Sequence, residues 1–304
     1  MKITNKLQLP DMLVRAAQKE YTYREKRYSI TSLLDPDRVL ILKRRYNDLI
    51  EQDITECIWM LWGSVVHYAL ETGIECRENE YVEEHLEYTF PSGYTLSGII
   101  DHVEDYIDDY KTTSVWTVIY GSNNEHWKKQ LQMGAYLHYK EHGNWIGKGR
   151  IIAILKDFNK KDSLLKDNYP KLPVQVINFD LGTPEEVEEW IVKRFKRIEY
   201  LEKLSDLDLP LCNMEERFNT GDKYAVKKKV WKKAFRVFDS LDEARELLIE
   251  LERKYPGEYE IEERIGEDKK CKDYCSCCQF CPYYLEHFDL EHKEIMEELE
   301  NVQM

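Results

Sequence analysis

Two short segments hold residue types that could perform hydrolytic chemistry. They are Gly98-Ile99-Ile100-Asp101 and Asp109-Tyr110-Lys111, and both lie in a stretch rich in β-branched residues. A carboxylate flanked by apolar residues is costly to bury without a partner, and a hard cation is such a partner. Two carboxylates and a lysine suit metal-assisted phosphodiester hydrolysis. The cation polarises the phosphate and activates a water molecule, and the ammonium orients that water or offsets developing charge.

The turn between these two segments decides whether the aspartates can meet. Because side chains alternate along a strand, Lys111 shares a face with Asp109. A two-residue turn would pair Asp101 with Asp108 and leave Asp109 on the opposite face. A three-residue turn, Glu104-Asp105-Tyr106, pairs Asp101 with Asp109 instead. We therefore predict the three-residue turn, with Asp108 pointing away from the site.

The elements that must position these residues alternate between helical and strand patterns. The sequence predicts helices over residues 36–50, 58–71, 124–141 and 184–204, three strands within 86–113, and further strands over 150–156 and 174–180. The helix over 58–71 is apolar enough to lie buried against a sheet. Asp35-Pro36 and Thr183-Pro184 each provide an N-cap followed by a proline at the first helical position. The core is therefore predicted to be mixed α/β.

After Pro210 the pattern restarts as a smaller unit. Strands are predicted over residues 224–229, 233–238 and 258–264, with a helix from Ser240 through Tyr255 between the last two. This order is a small β-β-α-β unit. The predicted organisation is a core over residues 1–212, the β-β-α-β unit over 213–266, and a cysteine cluster with an acidic helix over 267–304.

Composition limits the classes of protein to which the chain can belong. The chain has 304 residues, 42% of them hydrophobic, a net charge of -14 and a mean hydropathy of -0.63, which excludes disordered and collagen-like proteins. No apolar run approaches the roughly 20 residues of a membrane helix, and the start of the chain lacks the apolar stretch of a signal peptide. We expect a cytoplasmic protein, in the host cytoplasm if it is phage-encoded, with no membrane partner.

Charge is unevenly distributed along the chain. The segment 221–236 is basic, and the segment 286–300 is acidic. The candidate DNA-binding residues of the basic segment are Lys227, Lys228, Lys229, Lys232 and Lys233. A strip of this kind can follow a phosphate backbone, or it can be a solvated strand edge that blocks aggregation, and both interpretations stay open.

Five of the eight cysteines lie between Cys271 and Cys281, whereas Cys57, Cys76 and Cys212 are scattered. In a reducing compartment such crowding favours metal ligation over disulfides. We predict that Cys271, Cys275 and Cys281 bind one metal centre. Cys278 is the predicted fourth ligand, because it lies three residues before Cys281. Zinc, an iron–sulfur cluster such as [4Fe-4S], and unliganded thiols remain alternatives.

Four blocks of the sequence, taken in order, resemble the PD-(D/E)XK nuclease superfamily. The resemblance is to its RecB-like exonuclease branch, which includes phage recombination nucleases and the nucleases of CRISPR adaptation. The blocks are Gly63-x3-His67-x2-Leu70-Glu71, Gly98-x2-Asp101, Asp109-x-Lys111 and Gln132-x3-Tyr136. The resemblance implies a restriction-endonuclease-like mixed sheet flanked by helices.

The same resemblance implies roles for individual residues. His67, Asp101, Asp109 and the Tyr110 carbonyl would bind Mg²⁺ or Mn²⁺, and Lys111 would be the catalytic lysine. Gln132 and Tyr136, which share a helical face at i, i+4, would steady the site or touch DNA. Iron–sulfur members of the branch join three C-terminal cysteines to one near the N-terminus, and the matching segment here, residues 32–38, has none.

The expected function is therefore a metal-dependent deoxyribonuclease. The resemblance favours an exonuclease that serves recombination, repair or replication of a phage or mobile element, with DNA and a recombination or single-strand-binding protein as partners. One alternative is a catalytically silent module that binds DNA or protein. Another is a CRISPR-adaptation nuclease, which the additional β-β-α-β unit disfavours.

Overall fold

The structure, a computed structural model, describes residues 2–17, 24–73, 80–255 and 257–288. It divides the chain into two compact units, Met1–Ser205 and Asp206–Met304, so the division falls shortly before the predicted boundary at residue 212. Cys76, the side chain of Glu71 and the acidic tail from residue 289 lie outside the described residues.

The first unit alternates helices and strands over its whole length. In chain order its elements are β1 (Lys2–Thr4), α1 (Asp11–Ala17), β2 (Arg27–Ser29), α2 (Ile30–Leu33), α3 (Asp37–Arg45), β3 (Glu51–Asp53), α4 (Ile58–Glu71), β4 (Tyr81–Thr89), β5 (Thr95–Val103), β6 (Ile107–Thr113), α5 (Val115–Tyr120), α6 (Asn124–His142), β7 (Lys148–Leu155), α7 (Lys160–Leu165), β8 (Val174–Asp180) and α8 (Pro184–Leu201). A 3₁₀ turn, Ile54–Cys57, leads into α4.

Six strands form one mixed sheet flanked by helices. The strand order is β2-β5-β6-β7-β8, and β4 pairs with β5. Strands β2 and β5 are parallel, as are β6 and β7, whereas β4 with β5, β5 with β6, and β7 with β8 are antiparallel. Strands β1 and β3 form a separate parallel pair. The mixed α/β class predicted from the sequence is thus confirmed.

The turn between β5 and β6 has the predicted length. Val103 pairs with Ile107 and His102 pairs with Asp108, which leaves the three residues Glu104-Asp105-Tyr106 in the turn. Continuing this register by one pair sets Asp101 opposite Asp109. The prediction of an odd-length turn is confirmed, and it determines which carboxylates share a face.

Helix α6 covers the sheet and supplies much of the core. It contacts β4, β5, β6 and β7 as well as α8. Its buried residues Trp127, Leu131 and Ala135 pack in one cluster with Ile100 and Ile151 of the strands. Burying a side chain of this size stabilises the fold by about 1.5–3 kcal/mol, so this layer holds α6 firmly across the strands.

Helix α4 has the predicted bounds but not the predicted burial. Trp59, Trp62, Val65 and Tyr68, spaced three residues apart, are each at least half exposed. The helix is apolar around most of its circumference, and within the described residues it packs on β6, α1 and the 3₁₀ turn. Composition alone therefore predicted more burial than these contacts provide.

The helix starts follow their capping residues. Thr183 and Glu186 form a reciprocal capping box at the start of α8, which matches the predicted start at Pro184. Helix α3 begins at Asp37 with Pro36 as its N-cap, one residue later than predicted. Within the described ranges, no helix is both long and apolar enough to cross a membrane.

The second unit contains the predicted β-β-α-β order. Its elements are β9 (Lys223–Lys228), β10 (Arg236–Phe238), α9 (Leu241–Lys254), β11 (Tyr259–Arg264), α10 (Lys269–Asp273) and α11 (Pro282–Phe288). The three strands form an antiparallel sheet in the order β10-β9-β11. Ser240 caps α9, whose buried Ala244 packs on Val226 and Phe238.

Candidate active site

Strands β5 and β6 bring the two predicted aspartates and the lysine together. The backbone N–H of Tyr110 donates a hydrogen bond of 2.8 Å to Asp101 Oδ2. Lys111 Nζ lies 2.6 Å from Asp109 Oδ2, in an ion pair that is mostly buried. The β5–β6 pairing ends at His102 and Asp108, and extending it by one pair places Asp101 on the face that Asp109 shares with Lys111.

His67 of α4 and Glu83 of β4 extend this group. His67 Nδ1 lies 3.4 Å from Glu83 Oε1 and 3.6 Å from Asp101 Oδ2. The ligand atoms of His67, Glu83 and Asp101 all lie within 4.8 Å of one another. Three successive elements, α4, β4 and β5, therefore place an imidazole and two carboxylates where one cation could contact all three.

Glu83 was missed by the sequence analysis. It lies opposite Asp101, between the pairs Val82–His102 and Glu84–Ile100, and its backbone is left-handed with φ of 47°. A non-glycine residue in that conformation is uncommon and is often found at functional sites. The five residues between the paired Thr89 and Thr95 set this register, and a loop of that length has no unique geometry that sequence could specify.

The electrostatics of Asp101 favour a bound cation. Burial, and then the negative charge of Asp109, raise the pKa of Asp101 to about 7, although His67, the Tyr110 N–H and Lys111 act in the opposite direction. Asp109 Oδ2 is buried, and its partner is the ammonium of Lys111, 2.6 Å away. A divalent cation would offset the repulsion between the carboxylates of Asp101 and Asp109, so the residues present fit a hard metal ion.

Gln130 of α6 is a second residue that the sequence analysis missed. Its side-chain amide donates a hydrogen bond of 2.7 Å to Asp109 Oδ1. The predicted residues Gln132 and Tyr136 lie elsewhere. Gln132 donates to the Leu181 carbonyl, and Tyr136 is fully buried and stacked on Phe90. Successive helical residues are rotated by about 100°, so Gln132 and Gln130 point to different sides of α6.

Asp108 points away from the site, as the register requires. It accepts two hydrogen bonds of 2.6 Å from Arg150 and lies 3.0 Å from His102 Nδ1. Asp108 is buried whereas Arg150 is partly exposed, and this bidentate ion pair has a structural role because it ties β6 to β7. Of the adjacent acids Asp108 and Asp109, only the second faces Asp101.

The candidate site opens into a cleft of about 990 Å³. Its lining includes His67, Glu83, Asp101, Asp109 and Gln130. A cleft of this size is in the upper range of ligand pockets, and it leaves the carboxylate group accessible to a large substrate.

The predicted basic strip is only partly available to a ligand. Lys227 is ion-paired with Glu260 and Glu262 of β11, so it is already neutralised within its own sheet. Lys229 lies 3.4 Å from Glu258, and Lys228 lies over the rings of Trp231 and Tyr259. Lys232 and Lys233 are exposed in the β9–β10 turn, where Trp231 stacks on Phe235.

The cysteine segment has a neighbour that the sequence analysis did not assign. Burial, followed by the charges of Glu216, Cys271, Cys275 and Cys281, raises the pKa of Cys212 to about 12. Among the described residues, no three cysteines bring their Sγ atoms within 4.8 Å of one another, and the thiol pair in contact is Cys275 and Cys277, at 3.7 Å. The predicted fourth ligand, Cys278, has a pKa raised by burial and by Cys275 and Cys281. None of the described cysteines forms a disulfide.

A polar network joins the segment that follows Cys212 to the segment that carries Cys271. Asp268 accepts hydrogen bonds of 2.6 Å from Arg217, Asn219 and Tyr283. The Lys270 N–H donates to the Arg217 carbonyl at 2.9 Å. These contacts join the segment after Cys212 to the start of α10, where Cys271 lies.

Comparisons with known proteins leave the family unassigned. No protein-family model matches the chain, and no curated protein matches it. A solved structure that matches is described as the crystal structure of SSO0001, with 17% sequence identity and a TM-score of 0.46. The match covers 63% of this chain and 85% of that one. Similarity at that level carries no argument about fold or function.

Proposed function

We propose that this protein is a Mg²⁺- or Mn²⁺-dependent deoxyribonuclease of the PD-(D/E)XK type. It would act as an exonuclease in recombination, repair or replication of a phage or mobile element. The observation that carries the proposal is the three-residue turn between β5 and β6, whose register, extended by one pair, puts Asp101 and Asp109 on the face that carries Lys111. The four sequence blocks and the mixed sheet support a restriction-endonuclease-like fold.

Asp101, Asp109 and His67 would hold the cation, with Glu83 and the Tyr110 carbonyl as further candidate ligands. When bound, Mg²⁺ or Mn²⁺ polarises the scissile phosphate and lowers the pKa of a coordinated water. The ammonium of Lys111, beside Asp109, orients the attacking water and offsets negative charge on the phosphate. Gln130 fixes the orientation of the Asp109 carboxylate through its hydrogen bond.

The β9–β10 turn is the part of the second unit best suited to contact DNA. Lys232 and Lys233 are exposed there beside Trp231, which is about half exposed. Basic and aromatic side chains together bind single strands, because lysines neutralise phosphates and aromatic rings stack on bases. Lys227 is excluded from this role by its two acidic partners.

The cysteine segment would hold a second metal centre, either Zn²⁺ or an iron–sulfur cluster. Cys212 is a candidate ligand beside Cys271, Cys275 and Cys281, because the charges of those three thiols contribute to its raised pKa. Thiolates gathered in this way repel one another unless a cation neutralises them. This revises the predicted ligand set by placing Cys212 in the position first given to Cys278.

The test is incubation of the purified full chain with end-labelled linear DNA and circular DNA, each with Mg²⁺, Mn²⁺ or EDTA. We expect linear DNA to be degraded with either metal and not with EDTA. Asp109→Asn should be inactive, and the matched control Asp105→Asn, an exposed turn residue, should remain active. Binding without cleavage under both metals would overturn the nuclease proposal in favour of a silent binding module. Cleavage of circular DNA would overturn the exonuclease assignment.

A further inference from the structure

A second group of metal-type ligands lies outside the candidate active site. It consists of Glu84 on β4 and two histidines of α6, His138 and His142. His138 Nδ1 lies 3.3 Å from Glu84 Oε2, and His142 Nε2 lies 2.6 Å from Glu84 Oε1. One ligand atom from each of the three residues lies within 4.8 Å of both others.

The fold holds these three side chains in place. His138 and His142 are one helical turn apart, so their rings project from one face of α6. Their ring centroids are 4.5 Å apart, and the ring of Tyr81 lies 5.0 Å from one and 4.4 Å from the other. Because α6 is packed across β4, the imidazoles meet the carboxylate without rearrangement of the backbone.

The donor set differs from that of the candidate active site. Two imidazoles and one carboxylate suit zinc and neighbouring transition metals, whereas Mg²⁺ prefers oxygen ligands. Zinc sites with three protein ligands leave a position for water. His138 is only 2% exposed, whereas His142 is exposed, so the group has a buried end and a solvent-facing end.

We propose that Glu84, His138 and His142 form a binding site for a transition-metal dication, with Zn²⁺ as the probe ion. The site would fasten α6 to β4, two elements that also carry Gln130 and Glu83 of the candidate active site. A metal ion bound at Glu84, His138 and His142 would therefore make the positions of α6 and β4 in the candidate active site more rigid. This inference does not depend on nuclease activity, since a chain that cleaves no DNA could still bind zinc here.

The rival explanation is an ion pair between a protonated His142 and Glu84 that binds no metal. Calorimetric titration of chelator-stripped full-length protein with Zn²⁺ separates the two. We expect His142→Ala and Glu84→Gln each to lose one equivalent of bound zinc relative to the parent chain. Any zinc held by the cysteines or by Asp101 and Asp109 contributes equally to all variants, so the difference isolates this site.

His85→Ala is the matched control, because it removes an exposed histidine adjacent to Glu84 on the same strand. It should retain the full zinc stoichiometry. His142→Cys keeps a zinc ligand and should restore the equivalent that His142→Ala loses. Zinc should also raise the melting temperature of the parent chain more than that of His142→Ala. Equal stoichiometry in the parent chain and His142→Ala would overturn the proposal.

Since His142 is exposed at the end of α6, its replacement leaves the core intact, and circular dichroism verifies the fold of each variant. Glu84→Gln tests the same site from the strand. A zinc equivalent that survives both substitutions would place the ion elsewhere and also contradict the proposal.

Discussion

The candidate active site of the first unit and the cysteine segment of the second unit gather metal-type ligands in different ways. In the first, the pairs His102–Asp108 and Val103–Ile107 enclose a three-residue turn, and one further pair would set Asp101 opposite Asp109. In the second, hydrogen bonds to Asp268 join the segment after Cys212 to the segment that carries Cys271. The first arrangement follows from local rules of strand pairing, whereas the second depends on tertiary contacts. The two also differ in donor chemistry, since hard oxygens suit Mg²⁺ and thiolates suit Zn²⁺ or iron.

The largest effect is expected from removing a carboxylate that faces the cation. Asp101→Asn and Asp109→Asn should each reduce DNA cleavage by on the order of 10³-fold or more, because a ligand charge is lost while DNA contacts remain. End-labelled linear DNA with Mg²⁺ gives the cleavage rate, and a gel-shift assay gives DNA binding. Asp105→Asn is the control of equal charge change. Near wild-type cleavage by either site variant would remove this pair from the mechanism.

Lys111→Ala should be the next most damaging change, at on the order of 10²-fold in the single-turnover rate. The ammonium acts on water and the transition state more than on the cation. Mn²⁺ affinity measured by calorimetry should therefore change little. Lys148→Ala, an exposed lysine at the start of β7, is the matched control. Loss of Mn²⁺ binding together with activity would instead assign Lys111 a role in assembling the metal site.

The comparison also shows which features sequence could predict. Asp101, Asp109 and Lys111 were found because period-two alternation and turn length determine which side chains share a face. Glu83 and Gln130 were missed. The register of β4 depends on a five-residue connection, and the block Gln132-x3-Tyr136 begins two positions after Gln130, the residue that contacts Asp109.

In the second unit, too, local sequence patterns predicted the elements but not which lysines are ion-paired. The strands and helix were predicted within a few residues, since capping and alternation are local signals. Whether each lysine is ion-paired within the unit, and so less able to bind a phosphate, was not predictable from such local signals. Lys227 faces Glu260 across the β9–β11 pairing, and a pairing of strands separated by a helix lies beyond any local pattern.

Gln130→Ala should reduce cleavage by about 10-fold, because a hydrogen bond to a buried charged group contributes about 1.5–3 kcal/mol and orients the carboxylate. Gln132→Ala is the matched control, since its amide donates to the Leu181 carbonyl instead. Cleavage rates of the two variants on the same linear DNA provide the measurement. A larger loss for Gln132→Ala would reverse the assignment of the glutamine that serves the site.

Cys212→Ser tests whether Cys212 is a ligand of the metal proposed for the cysteine segment. We expect it to lower the cysteine-bound metal content several-fold, measured by elemental analysis and visible absorption of anaerobically purified protein. Cys278→Ser should retain more metal, and Cys57→Ser in the first unit is a control for thiol loss. Full retention by Cys212→Ser with loss by Cys278→Ser would restore the fourth ligand predicted from sequence.

The smallest expected effect is the pH dependence of stability in the metal-free protein. The pKa of Asp101 in the folded chain is raised to about 7 by burial and by Asp109, above the ordinary value of 3.8. The folded state therefore holds this proton more tightly than the unfolded state, and stability decreases as the pH rises through the window between those values. Asp101→Asn removes the negative charge of residue 101, and with it the free-energy cost of burying that charge beside Asp109. In EDTA, the melting temperature of Asp101→Asn should exceed that of the wild type by several degrees near pH 8, since about 2–4 °C accompanies each kcal/mol at this size. Near pH 3, below both values, the two should nearly coincide, and the exposed Asp105→Asn should show no such trend. A difference that stays constant across this range would mean that Asp101 does not titrate in the window that its burial and its neighbour Asp109 impose.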